Sequence, residues 1–289
     1  MKAFPFLALL AALPVLCQTY AVHWDELTAA DFTKALVQSR TTCTLPFGIV
    51  EKHGPSGPLG TDLLNVRYVS ELAAKQEYTI LFPHYYFGQI FEAQHQPGTI
   101  AYSSRLQLDL LKETVSEMAR NGCKKIIIVN GHGGNTAMLQ YFAQIQLDTP
   151  KDYIVYVVGG LSSASGNDPA AQPSKPGVDG HAGEGEVSNV MAHRPELAHI
   201  ERAGEESGKD LRRLDLPTGV FTGISWYSRF PNHYQGDAAG ATAARGKAAT
   251  AASAAQLAVA FRAIKADTNG PRLQREFFDA AQRPNETKQ

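Results

Sequence analysis

Short apolar runs alternate with helical patterns along this chain, and that alternation is the feature that most restricts its fold. The run over 125–129 reads Lys-Ile-Ile-Ile-Val, the composition of a strand that is buried on both faces. Further strands are predicted over 44–50, 79–82 and 153–158, and helices over 61–75, about 108–118, 136–147 and 238–264. Strands and helices in this order predict an α/β fold, a three-layer α/β/α arrangement with a mainly parallel central sheet.

The first 21 residues have the pattern of a secretory signal peptide. Lys2 precedes an apolar run over 4–16 that is too short to span a bilayer, and Thr-Tyr-Ala at 19–21 resembles a cleavage site. A buried N-terminal helix is the alternative. Cleavage after Ala21 would leave residues 22–289 as one domain, periplasmic or secreted, with no membrane association after cleavage.

The composition excludes several classes of protein. Hydrophobic residues make up 44% of the 289 residues and charged residues 19%, which excludes intrinsic disorder. A formal net charge of −1 gives no electrostatic reason to expect a nucleic-acid partner. We therefore expect a folded protein with no nucleic-acid partner. The motifs described below lead us to expect a small-molecule substrate.

Two cysteines, Cys43 and Cys123, remain after the predicted signal peptide. An oxidising compartment permits a bridge between them, and each begins a strand-like run, so that neighbouring strands would bring the thiols together. Two buried free thiols that behave as small hydrophobic side chains are equally compatible with the sequence.

Polar residues of the types that bind metals follow the ends of the predicted strands. Glu51 and His53 come after the first strand, Asp62 opens the next helix, and His132 comes after the Ile-rich strand. Glu186 follows a long segment rich in Gly, Ser and Pro. Because ligands bind beyond the carboxyl ends of parallel strands, we expect these side chains to converge.

Converging imidazoles and carboxylates suit zinc, manganese or iron better than calcium. Five such ligands are more than one catalytic zinc takes, which favours a two-metal site with a bridging carboxylate. Each residue also has a structural interpretation: Asp62 as a helix cap, the two histidines as hydrogen-bonded loop residues, and Glu186 as an acid in a first helical turn.

Other candidates have weaker support. His95 could line the site, and the aromatic residues over 85–87 could form a pocket wall, although core packing is the favoured interpretation of those. The remaining histidines have no partner in sequence and are expected to be surface or packing residues: His84, His193, His199 and His233.

Five separated motifs, taken together, are more specific than any one of them. They are Leu-Pro-Phe-Gly leading to Glu-x-His-Gly-Pro over 45–55, Leu-Gly-Thr-Asp at 59–62, Pro-Gly-Thr at 97–99, Asn-Gly-His-Gly-Gly-Asn at 130–135 and His-Ala-Gly-Glu-x-Glu at 181–186. In this order, from about Trp24 through the C-terminal helix, the chain resembles the creatininase (creatinine amidohydrolase) family. The resemblance implies a layered α/β fold, a binuclear metal centre, hydrolysis of a cyclic or linear C–N bond and, commonly, a hexamer.

The resemblance also implies roles for single residues. Glu51 and His132 would bind one ion, His53 and Glu186 the other, and Asp62 both. His181 falls where the family has a proton-shuttling histidine.

Three positions depart from the family pattern. Gly134 replaces a second glutamate of creatininase, Gly177 replaces its substrate-packing tryptophan, and Ser56 replaces a histidine found in many members. Creatinine is therefore not the expected substrate.

The resulting hypothesis is an exported amidohydrolase that cleaves a C–N bond with metal-bound hydroxide. Two divalent ions are expected per subunit, with Zn²⁺ favoured over Mn²⁺ or Fe²⁺. His181 would pass a proton to the leaving nitrogen, and Glu184 would orient His181 or the hydroxide. The alternatives are a metal-dependent isomerase or ring-opening enzyme for a sugar-like carbonyl compound, and a non-catalytic periplasmic binding module.

Overall fold

The computed structural model describes residues 20–159, 172, 174 and 179–286. Nearly all of the predicted signal peptide and most of the segment that precedes His181 lie outside these residues. The described strands are β1 (Thr42–Phe47), β2 (Ile80–Leu81), β3 (Lys125–Asn130) and β4 (Ile154–Val158). They form one sheet in the order β2-β1-β3-β4 with every pair parallel, which confirms the predicted parallel sheet.

The helices surround this sheet. They are α1 (Ala29–Gln38), α2 (Thr61–Gln76), α3 (Ser104–Arg120), α4 (Thr136–Ile145), α5 (Glu184–His193), α6 (Ser225–Arg229), α7 (Ala243–Ala266) and α8 (Asn269–Ala281). The Ala-rich helix α7 begins at Ala243 and not at 238, because the Oγ1 atom of Thr242 accepts a hydrogen bond from Arg245 N at 3.2 Å and caps it there. Within the described ranges, no helix is both long and apolar enough to cross a membrane.

Alternation along β3 divides the core into two layers. Successive side chains of a strand point to opposite faces of its sheet. Ile126 and Ile128 pack with buried residues of α1, α3 and α4, while Ile127 and Val129 pack with those of α2 and α7. All four are fully buried, and each such burial contributes about 1.5–3 kcal/mol. The three-layer α/β/α prediction is confirmed.

A disulfide joins Cys43 to Cys123, with Cα atoms 5.7 Å apart. Cys43 lies in β1 opposite Ile126 of β3, and Cys123 lies just before β3, so parallel pairing brings the two thiols together. Of the two states that the sequence left open, the structure shows the bridge.

The candidate site lies at the opposite edge of the sheet, where β1 and β3 end. There Gly131 N donates to Phe47 O at 2.9 Å, so the two strands stay paired up to the loops that follow them. Helix α5 packs against α7 and α2, which brings its first turn to the same edge.

Candidate metal centre

All five predicted metal ligands come together at the carboxyl end of the sheet. Three groups of residues each place one ligand atom per residue within 4.8 Å of the others: Glu51 with Asp62 and His132, His53 with Asp62 and Glu186, and Glu51 with His53 and His181. Asp62 belongs to the first two groups, which together contain all five predicted ligands. Glu51, His53, Asp62 and His132 are buried, and Glu186 is half-buried.

The hydrogen bonds of His132 determine which of its nitrogen atoms faces the carboxylates with a lone pair when the imidazole is neutral. Nε2 lies 3.1 Å from the carbonyl oxygen of Gln89, which can only accept, so Nε2 carries a hydrogen and donates it. Nδ1 then points between two carboxylate oxygens, Asp62 Oδ2 at 2.8 Å and Glu51 Oε1 at 2.9 Å.

Local sequence holds His132 in this position. Asn130 Oδ1 accepts from His132 N at 3.1 Å, and Asn135 Oδ1 accepts from Gln89 N at 2.9 Å, which fixes the segment that carries the Gln89 carbonyl. A Cβ atom at Gly134 would lie 2.5 Å from His132 Nε2, so a larger residue here would displace the imidazole from the position that it has in this chain. The Asn-Gly-His-Gly-Gly-Asn motif thus serves to orient one histidine.

His53 is held in the same way as His132, with the roles of its two ring nitrogens exchanged. Its Nδ1 donates to the backbone oxygen of Glu51 at 3.2 Å, which leaves Nε2 facing Asp62 Oδ1 at 3.2 Å and Glu186 Oε2 at 3.7 Å. Metal-binding histidines usually donate their outer N–H to a carbonyl or carboxylate in this way.

This arrangement fits two cations better than none. When each histidine is neutral, a bare nitrogen lone pair faces two negatively charged oxygens, and three electron-rich atoms converge on one point. Ligand atoms that are each about 2.0–2.2 Å from one zinc ion lie roughly 3 Å apart, close to the separations seen here. The Glu51 Oε1 atom is buried and receives no hydrogen bond from the described residues, so it is available to a cation.

The pKa values of the site residues also indicate a site for cations. Burial disfavours protonation of His53 and His132, but the neighbouring carboxylates outweigh it, raising the pKa of His53 to about 9 and that of His132 well above its usual value. Burial likewise disfavours ionisation of Glu51 and Asp62, yet the histidines hold both pKa values below the ordinary range. Burial also raises the pKa of Glu186 to about 7. The site therefore attracts positive charge strongly.

His181 forms the third group, with Glu51 and His53. Its Nε2 donates to Lys52 O at 2.9 Å, and its Nδ1 lies 3.9 Å from Glu186 Oε2. Burial, reinforced by the neighbouring His53, lowers the pKa of His181 to about 3, so the imidazole is neutral and Nδ1 presents a lone pair to the site. The next residue, Ala182, has φ 60° and donates its N–H to Glu186 Oε2 at 2.6 Å.

Glu184 does not have the contacts that the sequence suggested. Its carboxylate forms an ion pair with Arg245 of α7, and Oε2 accepts from Ser174 N at 2.9 Å and from Ser174 Oγ at 2.7 Å. It is absent from the groups of described residues that could hold a metal. We therefore correct its orienting role: in this structure Glu184 fastens α5 to α7.

His233 is the site residue that sequence reasoning missed, since it was expected to be a surface or packing residue. Only 2% of it is exposed, and its Nε2 contacts Glu51 Oε2. The two residues are 182 positions apart, so no local spacing could have revealed the contact. His95 donates from Nε2 to Pro231 O at 2.7 Å and also lines the cavity described below. Tyr85, in contrast, packs against Phe47 in the core.

A cavity of about 1100 Å³ opens onto the metal-binding groups. Glu51, His132, His181 and Glu186 lie on one side of it. Among the described residues no lysine or arginine lines it. Apolar and aromatic side chains form much of its wall: Phe91, Met138, Phe221, Ile224, Trp226 and Tyr227.

Comparison with known proteins agrees with the geometry. The family model described as creatinine amidohydrolase matches residues 25–261. A mycofactocin precursor peptide peptidase of Mycobacterium tuberculosis is 29% identical over 223 residues, which are 73% of this chain and 81% of that protein. A 3-dehydro-scyllo-inosose hydrolase of Thermotoga maritima is 28% identical over 113 residues, 39% of this chain and 36% of that one.

Solved creatininase structures share the fold. A variant described as the Zn–Zn type and the structure described as creatininase Mn each superimpose with a TM-score of 0.69, at 20% and 18% identity. Each comparison covers 86% of this chain and 100% of the other. With a family model that spans most of its length, this chain belongs to the creatininase family.

Proposed function

We propose that this protein is an exported hydrolase that uses two divalent metal ions to cleave an amide C–N bond. One observation carries the proposal: two histidines each tie one nitrogen to a backbone carbonyl and turn the other towards a pair of carboxylates, with Asp62 shared between the pairs. Histidines that bind metals commonly donate the hydrogen of the other ring nitrogen to a carbonyl group in this way, and the carboxylates supply the further ligands.

The residues divide between the two ions according to these contacts. Glu51, His132 and one oxygen of Asp62 would hold the first, and His53, Glu186 and the other oxygen of Asp62 the second. Zinc is the favoured metal, with manganese or iron as alternatives, because the donor set suits all three and solved creatininases are described in Zn–Zn and Mn forms. When bound, such ions polarise a carbonyl group and lower the pKa of water.

His181 is the residue placed to move a proton. Its Nε2 hydrogen is held by Lys52 O, and its Nδ1 is bare and faces the site. As water attacks the carbonyl carbon, Nδ1 can take a proton from the water and deliver it to the leaving nitrogen while the C–N bond breaks. A contribution of about 10²–10⁴-fold is typical of such proton transfer.

The cavity favours a linear amide with a bulky apolar group over a compact ring. At about 1100 Å³ it exceeds the roughly 300–1000 Å³ that is typical of small-ligand sites. Its aromatic wall suits apolar groups, and the described residues around it supply no cation for an anionic substrate. The name of the mycobacterial relative, a peptide peptidase, supports a peptide-like amide.

Export and assembly belong to the same proposal. The signal-like N-terminus and the disulfide support an oxidising compartment outside the cytoplasm. A homo-oligomer, commonly a hexamer in this family, agrees with the exposed apolar side chains of Val220 and Phe221.

The deciding experiment is elemental analysis of protein that was purified without chelators. We expect about two equivalents of metal per subunit, with a loss in Glu51→Ala and Asp62→Ala variants. Protein without metal, which also takes up neither zinc nor manganese, would refute the proposal and favour a non-catalytic binding module.

A second candidate function is hydrolytic or isomerising ring opening of a sugar-like carbonyl compound, which the similarity to the Thermotoga hydrolase favours. Product analysis separates the two functions. Release of an amine from a peptide amide supports amidohydrolysis, and conversion of a cyclic ketose without release of nitrogen supports ring opening.

A further inference from the structure

His233 lies between a predicted metal ligand and the wall of the substrate cavity. On one side its Nε2 contacts Glu51 Oε2, and on the other its Nδ1 lies 2.9 Å from Nε1 of Trp226. Trp226 also lines the cavity. The three side chains form a continuous row of hydrogen bonds.

Chemistry determines the direction of every hydrogen bond in this row. An indole nitrogen can only donate, so Trp226 donates to Nδ1 of His233, and Nδ1 must carry a lone pair. A neutral His233 then has its hydrogen on Nε2 and donates it to Glu51 Oε2. Trp226 thus selects the histidine tautomer that can hold Glu51.

As a result, the two carboxylate oxygens of Glu51 have different contacts. Oε2 is engaged by His233, while Oε1 receives no hydrogen bond from the described residues and lies 2.9 Å from His132 Nδ1. Because the carboxylate is fully buried, this single donor fixes its rotation and aims Oε1 at the first metal position.

The backbone at His233 supports a specific role. Its φ is 54°, in the left-handed region that non-glycine residues adopt at a cost of about 1–3 kcal/mol. The turn is closed by a hydrogen bond from His233 N to Phe230 O at 3.0 Å, and the next residue, Tyr234, is buried against Gly54. A strained conformation that persists beside an active site commonly positions a side chain.

We propose that His233 is a positioning residue that holds Glu51 for metal binding, and that Trp226 fixes the tautomer in which it does so. This inference rests on the proposed function, because it takes Glu51 to be a metal ligand. It also assigns Trp226 two roles, as part of the cavity wall and as the outer end of a hydrogen-bonded row that reaches the metal centre.

The test compares two amides at position 233. In His233→Gln the amide N–H₂ reaches the place of Nε2, whereas in His233→Asn it is too short to contact Glu51. Zinc dissociation constants are measured by chelator competition on the full mature protein. We expect His233→Asn to weaken zinc binding at the first position by about tenfold to hundredfold, and His233→Gln to stay within about threefold of the wild type.

His199→Asn is the matched control, because the His199 side chain is 45% exposed, its ring bonds to Glu201, and it does not line the cavity. It should bind zinc like the wild type. Equal, wild-type affinity in both position-233 variants would overturn the inference, and so would equal weakening in Gln and Asn.

Trp226→Phe keeps an aromatic ring and leaves His233 in place, so it carries the test if His233→Asn does not fold. We expect ¹⁵N NMR of the zinc-loaded protein to show His233 with its hydrogen on Nε2 in the wild type and a mixture of tautomers in Trp226→Phe. An unchanged tautomer with unchanged zinc affinity would refute the role of Trp226. Wild-type protein that binds no zinc would instead refute the proposed function itself.

Discussion

At the residue scale, Asp62 is the side chain whose two oxygens serve different partners. Oδ2 lies 2.8 Å from His132 Nδ1 and Oδ1 lies 3.2 Å from His53 Nε2. Glu186, in contrast, belongs to only one of the two groups that share Asp62. The two carboxylates should therefore respond differently to substitution.

We predict that Asp62→Asn loses both metal ions and that Glu186→Gln retains about one equivalent. Both changes keep the size of the side chain and remove its negative charge, which isolates the effect of charge and bridging. Elemental analysis per subunit measures the result. Equal metal content in the two variants would contradict the bridging role of Asp62.

We predict that replacing His181 lowers kcat and leaves the metal content unchanged. Replacing it with Ala removes the bare Nδ1, and we expect kcat to fall by about 10²–10⁴-fold on a short peptide amide with an aromatic side chain. Metal content is the internal control, because the predicted ligands His53 and His132 are unchanged in this variant. A loss of metal that parallels the loss of activity would make His181 a ligand and not a proton carrier.

At the element scale, an ion pair and a disulfide each join two secondary-structure elements that are distant in sequence. The Arg245–Glu184 ion pair ties α7 to the first turn of α5, two residues before Glu186. The disulfide ties the start of β1 to Cys123, two residues before β3, across a sequence separation of 80. Because β1 and β3 both lead into ligand loops, the bridge supports the frame of the site.

We expect the Cys43→Ser/Cys123→Ser double variant to lose about 2–5 kcal/mol of unfolding free energy, because a long loop is no longer closed in the unfolded chain. Urea unfolding of metal-free protein measures the change, and reduced wild type provides the comparison. A difference below roughly 1 kcal/mol would mean that the bridge adds little to the packing of β1 against β3.

At the scale of the whole molecule, the position of the cavity connects substrate choice to the metal centre. Its apolar wall comes from three separate segments, around Phe91, Met138 and Trp226. They meet only because the loop after β2, the first turn of α4 and helix α6 reach the same edge of the fold.

We predict that Ile224→Asp raises KM for an aromatic peptide amide by about tenfold or more, because it places a charge on the apolar wall. Metal content and kcat should change little. Val259→Asp on the exposed face of α7 is the matched control, since that residue is also largely exposed and lies away from the cavity. An unchanged KM in Ile224→Asp would show that the substrate does not contact this wall.

The sequence alone determined the layered α/β class and the clustering of the five residues that we predict to bind metal. Each signal was local: an Ile-rich run makes a buried strand wherever it occurs, and residues that follow parallel strands must share one edge of the sheet. The spacing of Glu51 and His53 and the turn at 130–135 could be read without knowledge of the rest of the chain.

The tertiary structure alone decided the partners of Glu184 and His233 and the state of the two cysteines. Glu184 lies in the first turn of α5 with Glu186, but the direction of its side chain depends on Arg245, 61 positions later in sequence. His233 reaches Glu51 only because the chain returns after α6 to the edge of the sheet. Such contacts depend on how distant elements pack together, and no local pattern of residues encodes them.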